Sequence, residues 1–241
     1  MSPDPAVAVT RDALSNYFPD GKFAGRLQLL PEYNCVYVKN AKAASSTITL
    51  WLHRIHTGDH QFTPDLTIHK EHKLPRPQQI GWDKVLRMLA GDAFRFSFVR
   101  DPIRRAESAY LNKVADPRRP DRWRAQLRET LGLTPAPGSA VTFDQFVAAL
   151  ELQDPLEMNA HWRPQHLNLM HGLIEYDLVG RLESFARDLA RVCEATGLPD
   201  LPITTRNVVA ADRQDSLFDG RPDLLRRMRD IYARDLELFG Y

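Results

Sequence analysis

A lysine and a run of small residues lie where a predicted strand passes into a predicted helix. The strand-like run Cys35-Val36-Tyr37-Val38 is followed by Lys39-Asn40-Ala41-Lys42 and then by five alanine, serine and threonine residues. The first N–H groups of a helix are unpaired and lie at the positive end of its dipole, so such a turn can bind an anion. Small side chains leave the backbone accessible, and Lys42 adds a point charge. The turn is therefore either an anion-binding loop or a plain strand–helix connection with two exposed lysines.

This turn differs from the phosphate-binding loop of nucleoside triphosphatases. That loop reads G-x-x-x-x-G-K-[ST], whereas residues 39–47 contain no glycine. Triphosphatases also hold Mg²⁺ with a carboxylate, and no such signal accompanies this turn. A nucleotide kinase-like phosphotransferase on a similar strand–loop–helix core stays open as an alternative.

A second strand–turn–helix unit carries an arginine and a serine. Phe94 to Val99 is strand-like, and Arg100 follows it directly. Asp101-Pro102 predicts a helix start, with the aspartate as N-cap and the proline at the first helical position. An arginine at a strand end can bind a phosphate through two parallel hydrogen bonds. Ser108 lies on the same helix face as Arg104, four residues earlier. The alternative is that Arg100 pairs with a carboxylate and Ser108 only packs.

The remaining patterns describe the elements that must position these residues. A third strand is predicted over 177–182, and helices are predicted near 48–55, 82–90, 185–197 and 222–239. Repeated strand–helix alternation predicts an α/β fold with a central, mainly parallel sheet flanked by helices. Ligands of such sheets bind at the carboxyl ends of the strands. The turns after Val38 and Val99 should therefore lie at the same edge of the sheet.

Length and composition restrict the class of protein. The 241 residues suffice for one α/β domain, which we expect over 1–241, with the proline- and arginine-rich segment 115–141 as an exposed lid or insertion. A net charge of +1 argues against a nucleic-acid partner. No secretory signal and no membrane span is recognised, so we expect a cytoplasmic protein. Cys35 and Cys193 are too few for a disulfide framework and are expected to be reduced and buried.

Together the two turns resemble the nucleotide-binding signatures of sulfotransferases that use 3′-phosphoadenosine 5′-phosphosulfate (PAPS). Arg100 and Ser108, eight residues apart, are similar to the motif that binds the 3′-phosphate. The stretch His161-Trp162-Arg163-Pro164-Gln165 and the C-terminal residues 232–241 resemble the Golgi carbohydrate sulfotransferases that modify chondroitin and dermatan. The likeness spans residues 34–241. The loop that resembles the 5′-phosphosulfate site is Lys42-Ala43-Ala44-Ser45-Ser46-Thr47.

The resemblance implies a P-loop-like sulfotransferase fold and the transfer of a sulfuryl group to a hydroxyl. PAPS would be the donor, 3′-phosphoadenosine 5′-phosphate (PAP) the product and a hydroxyl, expected on a carbohydrate, the acceptor. Lys42 would neutralise charge on the leaving phosphate, and no metal would be needed. A protein that retains the nucleotide site only as a non-catalytic scaffold has the same motifs.

A base must take the proton of the attacking hydroxyl, and histidine is suited to this. The candidates are His69 and His72, in the loop between the two nucleotide motifs, and His161; we predict His69, with His161 as the main alternative. Trp162 and Arg163 are then expected to line the acceptor cleft. Asp235 falls on the apolar side of the last predicted helix and is expected to be buried against a basic partner.

Overall fold

The structure is a computed structural model that describes residues 8–18, 21–134, 138–203 and 216–241. The chain divides into two compact units, each built from two stretches of sequence. Among the described residues, the first unit contains residues 8–99 except 19–20, and residues 166–203; the second contains residues 100–165 except 135–137, and residues 216–241.

The α-helices are, in chain order, α1 (Arg11–Asn16), α2 (Ser45–Thr57), α3 (Ile68–Glu71), α4 (Pro77–Ile80), α5 (Trp82–Arg87), α6 (Pro102–Ala109), α7 (Arg122–Thr130), α8 (Phe143–Leu152), α9 (Gln165–Asn168), α10 (Phe185–Thr196), α11 (Pro222–Ile231) and α12 (Ala233–Phe239).

A four-stranded sheet forms the centre of the first unit. Its strands are β1 (Leu27–Leu30), β2 (Cys35–Val38), β3 (Phe94–Val99) and β4 (Leu178–Arg181), in that order across the sheet. β1 pairs with β2 in antiparallel fashion, whereas β2 with β3 and β3 with β4 are parallel. The predicted α/β fold with a mainly parallel sheet is confirmed. β1 was not predicted, because its four residues are all buried and so short a run shows no period.

Helices α2 and α10 pack on one face of this sheet. Tyr37, Phe96 and Phe98 form part of an apolar cluster with residues from both helices, and burial of such surface contributes about 25 cal/mol per Å². Gly180 lies opposite Phe98 in the β3–β4 register. A Cβ atom on Gly180 would lie 2.5 Å from the Phe98 ring, so only glycine allows this packing.

The second unit is helical in its described residues, and its core is rich in aromatic side chains. The rings of Phe146 and Trp162 meet edge to face with centroids 5.6 Å apart, a favourable arrangement for aromatic pairs. Tyr110 packs against Phe143 and Phe146 at centroid distances of 5.0 and 5.4 Å. Helices α6, α8 and α11 supply most of this core.

The segment 115–141, predicted as an exposed lid or insertion, contains helix α7. Trp123 of this helix is only 8% exposed and belongs to the core. Arg124 and Arg128 are also buried, and their guanidinium groups bind the Asp121 carboxylate at 2.9 and 2.7 Å. The expected exposure is therefore wrong for one face of α7, where Arg124 and Arg128 are buried because each is paired and hydrogen-bonded. Arg118, Arg119 and Arg122 of the same segment are exposed.

Candidate functional site

The loop after β2 has a backbone conformation that few side chains favour. Lys42 has a φ of 68° and Ala44 a φ of 59°, both in the left-handed region. Such conformations cost about 1–3 kcal/mol each for residues other than glycine and persist only where the surrounding structure determines them. Left-handed residues in a turn direct successive backbone N–H groups toward one point, where they can bind an anion. The two left-handed residues of this loop are thus compatible with the predicted anion site.

Helix α2 begins directly after this loop and runs for 13 residues. Its N-cap is Ala44, whose side chain makes no capping hydrogen bond. The positive end of the helix dipole thus lies at the loop. Ala43, Ser45 and Thr47 are buried, whereas Lys42 and Ser46 are half-buried. Of the three side chains in this loop that were predicted to bind an anion, Lys42 and Ser46 are thus the more accessible ones.

The histidine-rich segment brings His69 to the start of α2. His69 lies in the four-residue helix α3, which packs against α2. Its Nε2 atom is 2.9 Å from the Ser46 hydroxyl oxygen; the tautomer of the ring decides which group donates. The sequence predicted the two residues for the same site by separate arguments, and the structure brings them into contact.

A carboxylate holds the turn that carries His69. Glu71 accepts hydrogen bonds from the backbone N–H groups of Asp65, Leu66 and Thr67 at 2.8, 2.8 and 2.6 Å. Burial acts to raise the pKa of Glu71, but the three N–H donors outweigh it, so the pKa lies below its usual value. A helix of one turn is not stable alone. Glu71 therefore supplies local support, through residues four to six positions earlier in the chain, that the sequence analysis did not identify.

Asn40 joins the ends of two strands. Its side chain is fully buried; Nδ2 donates to the carbonyl oxygen of Phe98 at 3.0 Å, and Oδ1 accepts from Asn168 at 3.4 Å. Because β2 and β3 are parallel, their carboxyl ends lie at one edge of the sheet, as predicted. A buried amide that is hydrogen-bonded on both sides fixes the separation of these ends.

Several basic side chains lie close enough to Lys39, the residue after β2, to affect one another's pKa. Burial, and then the charge of Arg26, lowers the pKa of Lys39 to about 8. Burial, followed by the charges of Lys39, His53 and Arg76, lowers the pKa of His72 to about 4, so this ring is neutral at pH 7. A plain strand–helix connection was expected to expose both of its lysines. Lys39 differs from this expectation, because burial is the main cause of its lowered pKa.

Arg100 follows β3 and is the first residue of the second unit. It is 9% exposed. Asp101 caps α6 as predicted, accepting from the N–H groups two and three residues later at 2.8 and 3.0 Å. Ser108 is half-buried in the last turn of α6. Gln165, a residue to which the sequence gave no role, binds the backbone of Arg100.

His161 also lies in the second unit. Its Nδ1 atom is 2.6 Å from the Asn159 side-chain oxygen, and its ring meets the edge of Trp123 at a centroid distance of 5.9 Å. An orienting hydrogen bond on one ring nitrogen is compatible with a base that acts through the other. Both candidate histidines thus have a defined orientation, each within its own unit.

The prediction that Trp162 and Arg163 line an acceptor cleft is wrong. Trp162 is fully buried and Arg163 is 2% exposed. The Trp162 carbonyl accepts from the Tyr232 hydroxyl, and Arg105 donates to the Arg163 carbonyl at 2.9 Å. The large apolar surface of an indole is best buried, so this stretch is part of the core of the second unit. Asp235 is fully buried, as expected.

Two features are lacking in the part of the chain that the structure describes. Residues 8–18, 21–134, 138–203 and 216–241 contain no group of three or more His, Cys, Asp or Glu side chains suited to a metal ion. None of the helices in these ranges has the length and apolar character needed to cross a membrane. Both cysteines are free thiols, with Cys35 buried and Cys193 half-buried.

Comparison with known proteins identifies relatives. The profile of the Sulfotransferase family matches residues 26–241. Carbohydrate sulfotransferase 14 of Mus musculus is 38% identical over 110 residues, which cover 44% of this chain and 29% of that protein. The Danio rerio protein of the same name is 30% identical over 160 residues, or 61% of this chain and 44% of that protein. Carbohydrate sulfotransferase 12 of Xenopus laevis is 29% identical over 168 residues, or 61% of this chain and 40% of that protein.

The chain spans less than half the length of these relatives. No solved structure showed significant similarity to it. The family profile nevertheless extends over the sheet, the loop after β2, the turn after β3 and the C-terminal helices. The chain therefore belongs to the Sulfotransferase family.

Proposed function

We propose that this protein transfers a sulfuryl group from PAPS to a hydroxyl group of a carbohydrate. The observation that carries the proposal is the left-handed loop at Lys42 and Ala44, with His69 hydrogen-bonded to Ser46 beside it, in a member of the Sulfotransferase family. The acceptor class follows the names of the relatives, which are carbohydrate sulfotransferases. The two units would act as one sulfotransferase domain, since the family profile covers both.

Donor binding uses both nucleotide motifs in this proposal. The backbone from Ala43 to Thr47 and the Lys42 ammonium bind the 5′-phosphosulfate, because helix N-termini and lysines both attract oxyanions. Arg100 and Ser108 bind the 3′-phosphate through charge-assisted hydrogen bonds. The contact with the 3′-phosphate allows the protein to discriminate between PAPS and ATP, which has no 3′-phosphate.

The transfer is an in-line displacement at sulfur. The acceptor oxygen forms a bond to sulfur while the bond from sulfur to the bridging oxygen of the 5′-phosphate breaks, and PAP leaves. Lys42 stabilises the negative charge that develops on the leaving phosphate. His69 takes the acceptor proton on Nε2, and its bond to Ser46 holds this nitrogen toward the loop until the acceptor hydroxyl replaces Ser46. His161 is the alternative base.

The positive charge that kinases take from Mg²⁺ is supplied here by Lys42 and the loop N–H groups. We therefore expect transfer without a metal ion. This expectation also separates the proposal from a nucleotide kinase-like phosphotransferase.

The test is an assay of the purified protein with PAPS labelled in its sulfuryl group and a panel of hydroxyl acceptors. Transfer of label to a carbohydrate is the expected result. Transfer from γ-labelled ATP, with none from PAPS, would identify a phosphotransferase. Tight binding of PAP without transfer to any acceptor would identify a non-catalytic nucleotide-binding scaffold.

A further inference from the structure

One side chain binds both backbone groups of Arg100. The Gln165 side-chain oxygen accepts from the Arg100 N–H at 3.1 Å, and its Nε2 donates to the Arg100 carbonyl at 2.8 Å. Within a sheet, a neighbouring strand provides these two bonds. β3 ends at Val99, so the amide of Gln165 takes the place of a strand neighbour for the next residue.

Gln165 is itself held by a buried carboxylate. Asp235 accepts from the backbone N–H of Gln165 at 2.5 Å, and both residues are fully buried. A buried carboxylate is costly unless it is hydrogen-bonded, so its presence here implies a defined geometry. Asp235, Gln165 and Arg100 thus form a continuous hydrogen-bonded series inside the second unit.

The residues before Gln165 are anchored as well. Arg105, which is fully buried, donates to the carbonyl groups of Ala160 and Arg163 at 2.8 and 2.9 Å. The Tyr232 hydroxyl donates to the carbonyl of Trp162. These bonds fix the main chain that leads into Gln165, so the glutamine amide is presented from a rigid support.

We propose that Gln165 is a positioning residue for Arg100: its amide fixes the peptide from which the Arg100 guanidinium reaches the 3′-phosphate of the donor. The inference rests on the proposed function. A guanidinium binds phosphate through a planar pair of donors, so a rotation of the Arg100 backbone weakens this contact in particular. The adenosine and the 5′-phosphate make their contacts elsewhere and do not depend on Gln165.

An amide is the side chain that this position requires. It offers one acceptor to the N–H and one donor to the carbonyl of Arg100, whereas a carboxylate lacks the donor and a thioether offers neither reliably. The expected order of PAP affinity is therefore wild type, then Gln165→Glu, then Gln165→Met.

The experiment measures the affinity of each variant for PAP and for AMP by calorimetry. AMP keeps the adenosine and 5′-phosphate but lacks the 3′-phosphate. We expect Gln165→Met to raise the dissociation constant of PAP about tenfold, or about 1.4 kcal/mol, and to change that of AMP less than about twofold. Gln153→Met is the matched control, because Gln153 also hydrogen-bonds within the second unit, to Thr130 and Trp162, but not to Arg100. It should leave both affinities unchanged.

Each result decides the question. A wild-type protein that binds PAP and AMP equally would refute the proposed function itself. A wild type that prefers PAP, with a folded Gln165→Met variant that keeps the full preference, would refute the positioning role. Equal loss of both affinities would also refute it, since a general structural role predicts that outcome. If Gln165→Met does not fold, Gln165→Glu decides, and an unchanged PAP affinity in that variant would overturn the inference.

Discussion

Replacing His69 by alanine tests the assignment of the base. A positioned general base contributes about 10²–10⁴-fold to a rate, which corresponds to about 2.7–5.4 kcal/mol of activation free energy. His69→Ala should therefore lower turnover by this factor at saturating PAPS and acceptor. PAP should bind the variant as before, because the ring takes the acceptor proton and does not hold the donor.

The hydrogen bond from His69 to Ser46 gives a second, smaller expectation. The 2.9 Å contact joins a ring nitrogen and a hydroxyl, and a hydrogen bond between side chains typically contributes about 0.5–1.5 kcal/mol. If it orients the ring before the acceptor hydroxyl replaces Ser46, Ser46→Ala should reduce kcat/KM for the acceptor by about 2- to 12-fold. The double variant His69→Ala/Ser46→Ala should then be no slower than His69→Ala alone, because the bond has no further role once the ring is gone.

His161→Ala is the matched control. Its ring is equally well oriented, by Asn159, but lies in the other unit. Loss of turnover in His161→Ala with normal turnover in His69→Ala would refute the assignment and make His161 the base. Normal turnover in both variants would show that a carboxylate or the substrate itself takes the proton.

Four further changes probe the site. Arg100→Ala should weaken PAP binding by about 1.5–3 kcal/mol, the range for a hydrogen bond to a charged group; an unchanged dissociation constant would remove Arg100 from the donor site. Turnover should persist in EDTA, and a loss that magnesium restores would favour the phosphotransferase. Ala44→Gly should raise the free energy of unfolding by about 1 kcal/mol, since φ is 59° there and glycine adopts this conformation without strain; lower stability in urea would contradict this. Lys39 has a pKa of about 8 when folded, below its usual 10.5, so the folded state loses this proton first and the contribution of Lys39 to stability should rise from pH 8 to 10.5. The difference in unfolding free energy between wild type and Lys39→Met should therefore increase over this range in denaturant titrations, and a constant difference would contradict the burial of this charge.

The strands and helices that present the donor motifs were predictable because their signals are local. A run of β-branched and aromatic residues predicts β2, and Asp101-Pro102 predicts the start of α6. Each signal lies within a few residues of the element that it defines. The same local rules failed for β1, which is too short to show a period, and for α7, whose buried Arg124 and Arg128 depend on pairing with Asp121.

The family could be recognised from the amino-acid sequence, and the type of ligand could be predicted from it, because a strand, a loop of small residues and a helix N-terminus can form an anion site from consecutive residues. Tertiary structure decided which side chains support this chemistry. Ser46 and His69 are 23 residues apart, and Arg100 and Gln165 are 65 apart. No periodicity or capping rule connects residues at such separations. Their pairing depends on how the chain packs, since a buried amide or carboxylate must find hydrogen-bond partners wherever packing brings them together.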